Sequence, residues 1–492
     1  MEIGMASMPS QSHAAAPIDV QLFIGGVWKE GSGGRTIDFF DPATTKLAGR
    51  VCVAGDPDLR EVVAAAESGF AAWKRVPAFE RGRVLYKAAA LMRERAEQIA
   101  VRLTREQGKP MAQARTEILG SADTFEWFAE EGKRCFGQVI PGRNASFHTV
   151  TRLEPVGIVA AFTPWNFPVS QSAKKLAAAL AAGCAIILKG PEEAPSACAE
   201  VVRALADAGV ATGAVNLVYG EPARISEYLI AHPAIRAVSF TGSVPVGKRL
   251  ASLAGQHMKR VVMELGGHAP TIVCEDADLV LATRELCHMK FMNAGQLCLA
   301  PTRFLVARQA YEEFLGRFRD MAEKLRSDSG FAEGVDMGPL ANLRRLHVME
   351  GLIVDAINAG ARLACGGKRL DREGFFFAPT VLYDVPTTVR AMNEEPFGPL
   401  ALFRPFDSLE QAIEEANRLP YGLASYVYTG SIRSEAALIE GLDVGMVAVN
   451  RVFSSTIEAP FGGVKDSGYG TEGGTHAIRN FLNEKMITRF YG

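Results

Sequence analysis

The chain has 492 residues, of which 48% are hydrophobic and 22% are charged, and its formal net charge at pH 7 is −2. These values are typical of a soluble globular protein with two or three domains, and they exclude attraction to nucleic acid or to an anionic membrane through bulk charge. Every apolar run is shorter than the ~20 residues that span a bilayer. We therefore predict neither a nucleic-acid partner nor a membrane partner.

The N-terminal residues and the cysteines indicate the cellular setting. Residues 1–16 have no basic start and no apolar block, so we interpret them as a flexible tail and not as a signal peptide. The eight cysteines include no CxxC pair, which argues against a disulfide framework and favours a reducing, cytoplasmic compartment. The histidines form no ligand-spaced cluster, so no metal site is predicted.

The first half of the chain predicts helices and then a parallel sheet. Residues 58–134 predict long amphipathic helices. From residue 157, short apolar segments alternate with helical stretches, which is typical of a doubly wound parallel sheet in the α/β class. The four strands whose ends carry the candidate site residues are predicted over 157–163, 184–190, 235–242 and "KRVVMELGG".

The second half predicts another α/β domain and an exposed tail. Between residue 268 and about 460, strands are predicted at "GFFFAPTVL", "ASYVYTG" and "VGMVAVN". The ending "FLNEKMITRFYG" alternates like an edge strand, and an edge strand at a terminus can pair with another subunit.

Polar and glycine-rich segments follow four of the predicted strands. Ligands bind beyond the carboxyl ends of such strands, so these segments are candidate sites. Gly242 and Ser243 can open a helix whose free amide groups face a phosphate, or they can form a plain turn. Lys189 and Glu192 can contact ribose hydroxyls or form a solvated pair. A carboxylate at that place would repel a 2′-phosphate and would favour NAD over NADP.

Three further residues have both a chemical and a structural interpretation. Glu264 can be a general base if burial raises its pKa, or it can be a helix cap or an ion-pair partner. Asn166, between aromatic residues and prolines, can donate to an oxyanion or can form a turn. Cys298 follows a glycine-containing segment, "NAGQL", and a glycine lets another molecule approach closely. The formal GxGxxG match at 468–473 follows no strand, so we interpret it as a glycine-rich loop.

Six segments in order resemble the aldehyde dehydrogenase superfamily from about residue 20 to the end of the chain. They are "FTPWNFP", "FTGSVPVG", "MELGGHAP", "NAGQLCLAP", "EEPFGPL" and "PFGGVKDSGYG". The resemblance implies a Rossmann-type NAD-binding domain over 17–135 and 156–267, an α/β catalytic domain over 268–470, and a small oligomerisation arm over 136–155 and 471–492. A homodimer or a homotetramer is expected.

The resemblance also implies a reaction, the oxidation of an aldehyde to its carboxylic acid. Cys298 would attack the aldehyde, and Asn166 with the Cys298 backbone N–H would hold the oxyanion. Hydride loss would leave a thioester, which water primed by Glu264 would hydrolyse. Lys175 would support the site.

The implied cofactor is NAD, with NADP as the alternative. The adenosine ribose would contact Lys189 and Glu192, while Glu395 and Phe397 would position the nicotinamide ribose and ring. The remaining predicted cofactor residues are Thr163, Trp165, Gly242, Ser243, Gly247 and Leu265. Gly190 stands where many relatives have proline, which predicts a looser loop.

The implied substrate is less defined. The motif variants resemble the succinate-semialdehyde and 2-oxoglutarate-semialdehyde branch, but Lys174 and Met292 stand where those relatives often have arginines. Lysine lacks the arginine fork, and methionine lacks the charge. We therefore predict weak preference for dicarboxylic semialdehydes and a shift to neutral or aromatic aldehydes, with Leu297 and Leu299 completing the substrate set. The alternatives are a CoA-acylating enzyme, against which Glu264 argues, and a non-catalytic scaffold.

Overall fold

The computed structural model describes residues 16–453 and 456–490. All but the last residue of the predicted N-terminal tail, and the last two residues of the predicted terminal strand, lie outside this range. Among the described residues, no helix is both long enough and apolar enough to cross a membrane.

The described residues form four successive helices between Asp56 and Glu131, and from Ile158 onward strands and helices mostly alternate. The helices are Asp56–Trp73 (α1), Ala78–Glu94 (α2), Ala96–Gln107 (α3), Met111–Glu131 (α4), Pro168–Ala182 (α5), Pro195–Ala208 (α6), Pro222–Ala231 (α7), Val244–Gln256 (α8), Leu279–Phe291 (α9), Arg308–Lys324 (α10), Leu343–Asn358 (α11), Arg390–Asn393 (α12), Leu409–Asn417 (α13) and Ile432–Gly441 (α14). Short 3₁₀ helices cover Gly132–Arg134, Met292–Gly295 and Ala477–Phe481. The strands are Ile18–Val20 (β1), Leu22–Ile24 (β2), Val27–Lys29 (β3), Thr36–Phe40 (β4), Leu47–Cys52 (β5), Val139–Ile140 (β6), Phe147–Pro155 (β7), Ile158–Phe162 (β8), Ala185–Lys189 (β9), Val215–Val218 (β10), Ile235–Gly242 (β11), Arg260–Leu265 (β12), Pro270–Val273 (β13), Arg303–Ala307 (β14), Arg362–Cys365 (β15), Thr380–Tyr383 (β16), Leu400–Phe406 (β17), Tyr421–Gly422 (β18), Ala424–Tyr428 (β19), Met446–Val449 (β20), Val464–Lys465 (β21), Gly468–Tyr469 (β22) and Leu482–Phe490 (β23).

An eight-stranded sheet has the order β22-β12-β11-β8-β9-β10-β2-β3. Its strands β12, β11, β8, β9 and β10 are parallel neighbours, as the alternating pattern predicts. Strands β8, β9 and β10 are buried along their whole length, which explains their continuous apolar sequences. Phe162 pairs with Lys189 and Gly242 pairs with Leu265, so the predicted strand ends meet at one edge of the sheet.

A seven-stranded sheet has the order β15-β16-β17-β14-β13-β19-β20 and packs in a separate apolar core. The strand predicted at "GFFFAPTVL" is too long, because β16 begins only at Thr380. Pro379 lacks the N–H that a ladder needs, and Phe377 forms only an isolated bridge to Arg369.

A small three-stranded sheet of order β23-β7-β6 stands apart from the two large ones. Strand β23 pairs antiparallel with β7 from Leu482–Pro155 to Phe490–Phe147, so the predicted terminal strand is present. This small sheet exposes apolar side chains, among them Val139, Met486 and Phe490. The domain boundaries and the oligomeric state stay predictions.

Candidate active site

A cavity of about 1220 Å³ opens at the carboxyl edge of the eight-stranded sheet. The four predicted strand ends line it, together with Cys298 and the segment of Glu395 and Phe397, which adjoin the seven-stranded sheet. The predicted site residues that line it are Thr163, Trp165, Asn166, Lys189, Glu192, Gly242, Ser243, Glu264, Leu265, Cys298, Glu395 and Phe397.

The segment before Cys298 has a constrained backbone. Asn293, Ala294 and Gly295 have φ angles of 50°, 54° and 70°, in the left-handed region. A Cβ at Gly295 would lie 2.1 Å from the carbonyl oxygen of Gly398. The glycine is therefore required by the protein's own backbone, while its predicted role in access to the thiol stays a prediction.

The Cys298 thiol is half-buried and has charged neighbours of both signs. Desolvation raises the pKa of Cys298 well above its ordinary value, and the nearby Glu264 carboxylate raises it further. The Lys174 ammonium opposes these effects. The cation that favours the thiolate is thus Lys174, a residue that the sequence connected only with substrate.

Asn166 is buried next to the Cys298 segment. Its side-chain Nδ2 donates to the Gln296 carbonyl at 3.2 Å, while its Oδ1 has no hydrogen-bond partner. The amide group therefore contacts the residue two positions before Cys298, and Asn166 and Cys298 line the same cavity. A fixed amide in a dry setting is suited to stabilising an oxyanion.

Glu264 is buried at the end of β12, and its Oε1 has no hydrogen-bond partner. Burial raises the pKa of Glu264 to about 8, and the Glu472 carboxylate contributes to the rise. The Lys174 and Lys175 ammonium groups act in the opposite direction. A carboxyl group with a pKa near the working pH is suited to general base catalysis.

Lys175 lies behind the cavity wall. Its Nζ donates to Thr241 Oγ1 at 2.7 Å, to Ser239 Oγ at 3.2 Å and to the Glu472 carboxylate. Lys174, its neighbour in sequence, points elsewhere, with Nζ 3.9 Å from the centre of the Phe461 ring.

Like Lys174, the other three predicted substrate residues are not among those that line the cavity. Met292 and Leu297 are half-buried against the core of the seven-stranded sheet, next to Cys298 in that cluster. Leu299 is buried within this core, and its backbone carbonyl accepts from Tyr426 Oη at 2.7 Å. Leu299 therefore packs in this core.

The far end of the cavity carries the Lys189–Glu192 pair, with 2.6 Å between Nζ and Oε2. Glu192 Oε1 also accepts from the Gly220 N–H at 2.9 Å. Gly190 donates its N–H to the Val218 carbonyl at 3.1 Å, and a Cβ there would lie 2.4 Å from the Tyr219 ring. The loop is therefore closely packed, and the looser loop expected from Gly190 was wrong.

Residues 28–487 match the sequence model of the aldehyde dehydrogenase family. The chain belongs to the aldehyde dehydrogenase family. It is 46% identical to 4-(hydroxymethyl)benzenesulfonate dehydrogenase TsaD1 of Comamonas testosteroni, over 95% of this chain and 97% of that protein. It is 41% identical to 3-sulfolactaldehyde dehydrogenase of Pseudomonas putida, over 95% and 96%. The structure of succinate-semialdehyde dehydrogenase from Burkholderia pseudomallei superimposes with a TM-score of 0.95 and 37% identity, over 99% and 100%. The predicted family, fold and enzyme class are confirmed.

Aldehyde dehydrogenases use NAD or NADP, and the cavity fits such a group. Gly242 and Ser243 line it at the N-terminus of α8, where free amide groups can face a phosphate. Gly247 lies outside the lining, and a Cβ there would lie 2.3 Å from Leu265 Cδ2, so it allows α8 to pack on the sheet.

The opposite end of the cavity also suits the cofactor of an aldehyde dehydrogenase. Glu395 accepts from the Gly267 N–H at 3.2 Å, and desolvation raises the pKa of Glu395 to about 7. A Cβ at Gly266 would lie 2.2 Å from Glu395 Oε2, so only glycine leaves room for that carboxylate. Phe397, at a φ of 45°, contacts Trp165 edge to face at 5.6 Å between ring centres.

Sequence reasoning about this aldehyde dehydrogenase missed Glu472. The residue lies just beyond β22, in the segment that was interpreted as a glycine-rich loop, and Gly468 of β22 pairs with Glu264. A buried lysine such as Lys175 needs an acidic partner, but the sequence does not show which of the many acidic residues packs against it.

Proposed function

We propose that this aldehyde dehydrogenase oxidises an aldehyde to its carboxylic acid, with Cys298 as the nucleophile, Glu264 as the general base and NAD as the preferred hydride acceptor. The observation that carries this proposal is that Cys298, Glu264 and Asn166 line one cavity with Lys189, Glu192 and Glu395. The Cys298 thiol therefore lies in the same cavity as the residues that we propose to bind the dinucleotide.

The reaction follows from the chemistry of these side chains. The Cys298 thiolate attacks the carbonyl carbon and forms a tetrahedral thiohemiacetal. The Asn166 amide and the Cys298 backbone N–H hold its oxyanion. When bound, the nicotinamide supplies the hydride acceptor, and a thioester remains on Cys298. The Glu264 carboxylate takes a proton from a water molecule, which hydrolyses the thioester and releases the acid. Lys175 pairs with Glu472, and its ammonium acts to lower the pKa of Glu264.

A panel of aldehydes assayed separately with NAD and with NADP tests this function. We expect reduced cofactor and free carboxylic acid in equal amounts. If no aldehyde yields reduced cofactor, the proposal fails. If added CoA is converted to acyl-CoA in place of free acid, the CoA-acylating alternative replaces it.

We expect Glu192→Ser to shift cofactor use towards NADP. The Glu192 carboxylate would repel a 2′-phosphate, so its removal should raise the ratio of kcat/KM for NADP to that for NAD by roughly tenfold or more. The matched control is Glu193→Ser, which removes the same charge one residue away, where the side chain faces Arg344 at 3.4 Å. Equal ratios in wild type and Glu192→Ser would contradict this assignment.

The substrate that we propose is an aldehyde with a sulfonate group. Among the described residues Lys174 forms no ion pair; its ammonium lies over the Phe461 ring and acts to lower the pKa of the Cys298 thiol. An ammonium is a point charge and an arginine is a planar fork, so lysine suits a three-oxygen sulfonate better than it suits bidentate carboxylate binding. Two of the similar proteins are named for sulfonated compounds, one of them aromatic.

Replacing Lys174 with Met should therefore change substrate preference. We expect kcat/KM for 4-formylbenzenesulfonate to fall by roughly 10- to 100-fold relative to that for benzaldehyde, because the half-buried cation that would pair with the sulfonate is lost. The ratio of the two substrates cancels the effect of Lys174 on the thiol. Wild-type protein that prefers succinate semialdehyde by a wide margin would refute the sulfonate assignment and leave the aldehyde oxidation intact.

A further inference from the structure

The backbone carbonyl of Asn166 accepts hydrogen bonds from two buried side chains that come from distant parts of the chain. Lys109, between α3 and α4, donates from Nζ at 2.8 Å. Asn293, in the segment that leads to Cys298, donates from Nδ2 at 3.0 Å. The peptide that carries the proposed oxyanion-binding amide is thus held from both sides.

Lys109 has two further partners in the same place. Its Nζ lies 2.5 Å from Glu117 Oε2 and 3.8 Å from the centre of the Phe167 ring. Glu117 Oε1 in turn accepts from the Val169 and Ser170 N–H groups, in the first turn of α5. The ion pair therefore connects α4 to the chain on both sides of Phe167.

The network closes through the Cys298 segment. Gln107 Nε2 donates to Asn293 Oδ1 at 2.8 Å, and Gln107 Oε1 accepts from the Lys109 N–H at 3.1 Å. Asn293 Nδ2 also contacts the Gln296 carbonyl at 3.3 Å, the same oxygen that the Asn166 side chain contacts. One set of hydrogen bonds thus includes the amide of Asn166 and the backbone that leads to the thiol.

We propose that Lys109 is a positioning residue: with Asn293 it holds the Asn166 peptide so that the amide and the Cys298 sulfur keep one mutual position during oxyanion formation. This inference rests on the proposed function, in which that amide binds the oxyanion. A buried ion pair adds little stability over an apolar pair of similar volume, so a role in geometry explains a feature that stability does not. Displacement of a reacting group by about 1 Å can cost roughly 100-fold in rate.

The test compares hydride transfer, which requires the oxyanion site, with alkylation of Cys298, which does not. In Lys109→Met we expect the rate of hydride transfer, measured as the first turnover of NADH formation, to fall by roughly 100-fold. Alkylation of Cys298 by iodoacetamide forms no oxyanion and should proceed within about threefold of the wild-type rate, as should NAD binding. In an Asn166→Ala background, Lys109→Met should cost almost nothing more, because the group that it positions is gone.

The matched control is Glu106→Gln. Glu106 is also buried and also accepts from the first turn of a helix, with Ser196 N at 2.8 Å and Ala197 N at 2.8 Å, but its hydrogen-bond partners among the described residues do not include Asn166. We expect Glu106→Gln to lower the thermal stability of the protein and to leave the rate of hydride transfer unchanged. If Lys109→Met does not fold, Lys109→Met/Glu117→Gln, which leaves no lone buried charge, is measured in its place.

Three results would overturn the inference: a folded variant with hydride transfer within threefold of wild type, a parallel loss of alkylation, or an equal loss in Glu106→Gln. Wild-type protein that oxidises no aldehyde would instead overturn the proposed function on which the inference rests.

Discussion

Glu264→Gln protein incubated with aldehyde and NAD is expected to accumulate an acyl group on Cys298. The substitution removes the base that primes water, while it also removes a negative charge that raises the pKa of the thiol. Acylation should therefore continue and hydrolysis should stop. We expect one equivalent of NADH per site in a burst, followed by turnover roughly 10²- to 10⁴-fold below that of wild type.

Mass spectrometry of the intact protein and of its peptides measures the adduct. The added mass should equal the acyl group and should map to Cys298, and it should be absent when NAD is omitted. Protein that completes the NADH burst and then carries no added mass at position 298 would contradict the thioester mechanism.

The pH dependence of wild type follows from the same carboxyl group. Burial raises the pKa of Glu264 to about 8, so the group holds its proton below that pH and is ionised above it. A base acts in its ionised form, and hydrolysis of the thioester should accelerate as pH rises through about 8 and then level off. In Glu264→Gln this rise should be missing. A wild-type hydrolysis rate that is flat from pH 6 to 9 would argue against Glu264 as the base.

Cys298→Ala is expected to remove aldehyde oxidation, with kcat lower by roughly 10⁴-fold or more, because no other thiol lines the cavity among the residues that the structure describes. NAD binding should be retained, which cofactor fluorescence titration measures. The matched control is Cys287→Ala, which removes a thiol buried in the core of the seven-stranded sheet. We expect that variant to keep its activity. Full oxidation by Cys298→Ala would refute the proposal.

The sequence predicted the sheet and much of the cavity for one physical reason. Short apolar strands that alternate with helices form a parallel sheet, and the ends of parallel strands meet at one edge. Asn166, Lys189, Ser243 and Glu264 lie at or just after the carboxyl ends of such strands, so their neighbourhood could be predicted without knowing any distance. The arrival of Cys298 from the other half of the chain was implied only by the family resemblance.

Buried partners from distant segments could not be predicted. Lys175 pairs with Glu472, which lies 297 residues away in sequence, and neither residue belongs to a local pattern that points to the other. The contact of Gly295 with Gly398 likewise depends on how two loops pack. Such contacts depend on tertiary structure, and the hydrophobic periodicity of the sequence does not predict which distant residues meet.

The short strand β22 has a consequence for biosynthesis. It is an edge strand of the eight-stranded sheet and pairs with the strand that carries Glu264, and the chain passes from it through Glu472 into strand β23. A polypeptide that stops before residue 468 possesses the thiol and the carboxylate but lacks the counter-charge of Lys175. The ribosome must therefore finish nearly the whole message before the reactive centre can take its final form, and a prematurely terminated product is released without it.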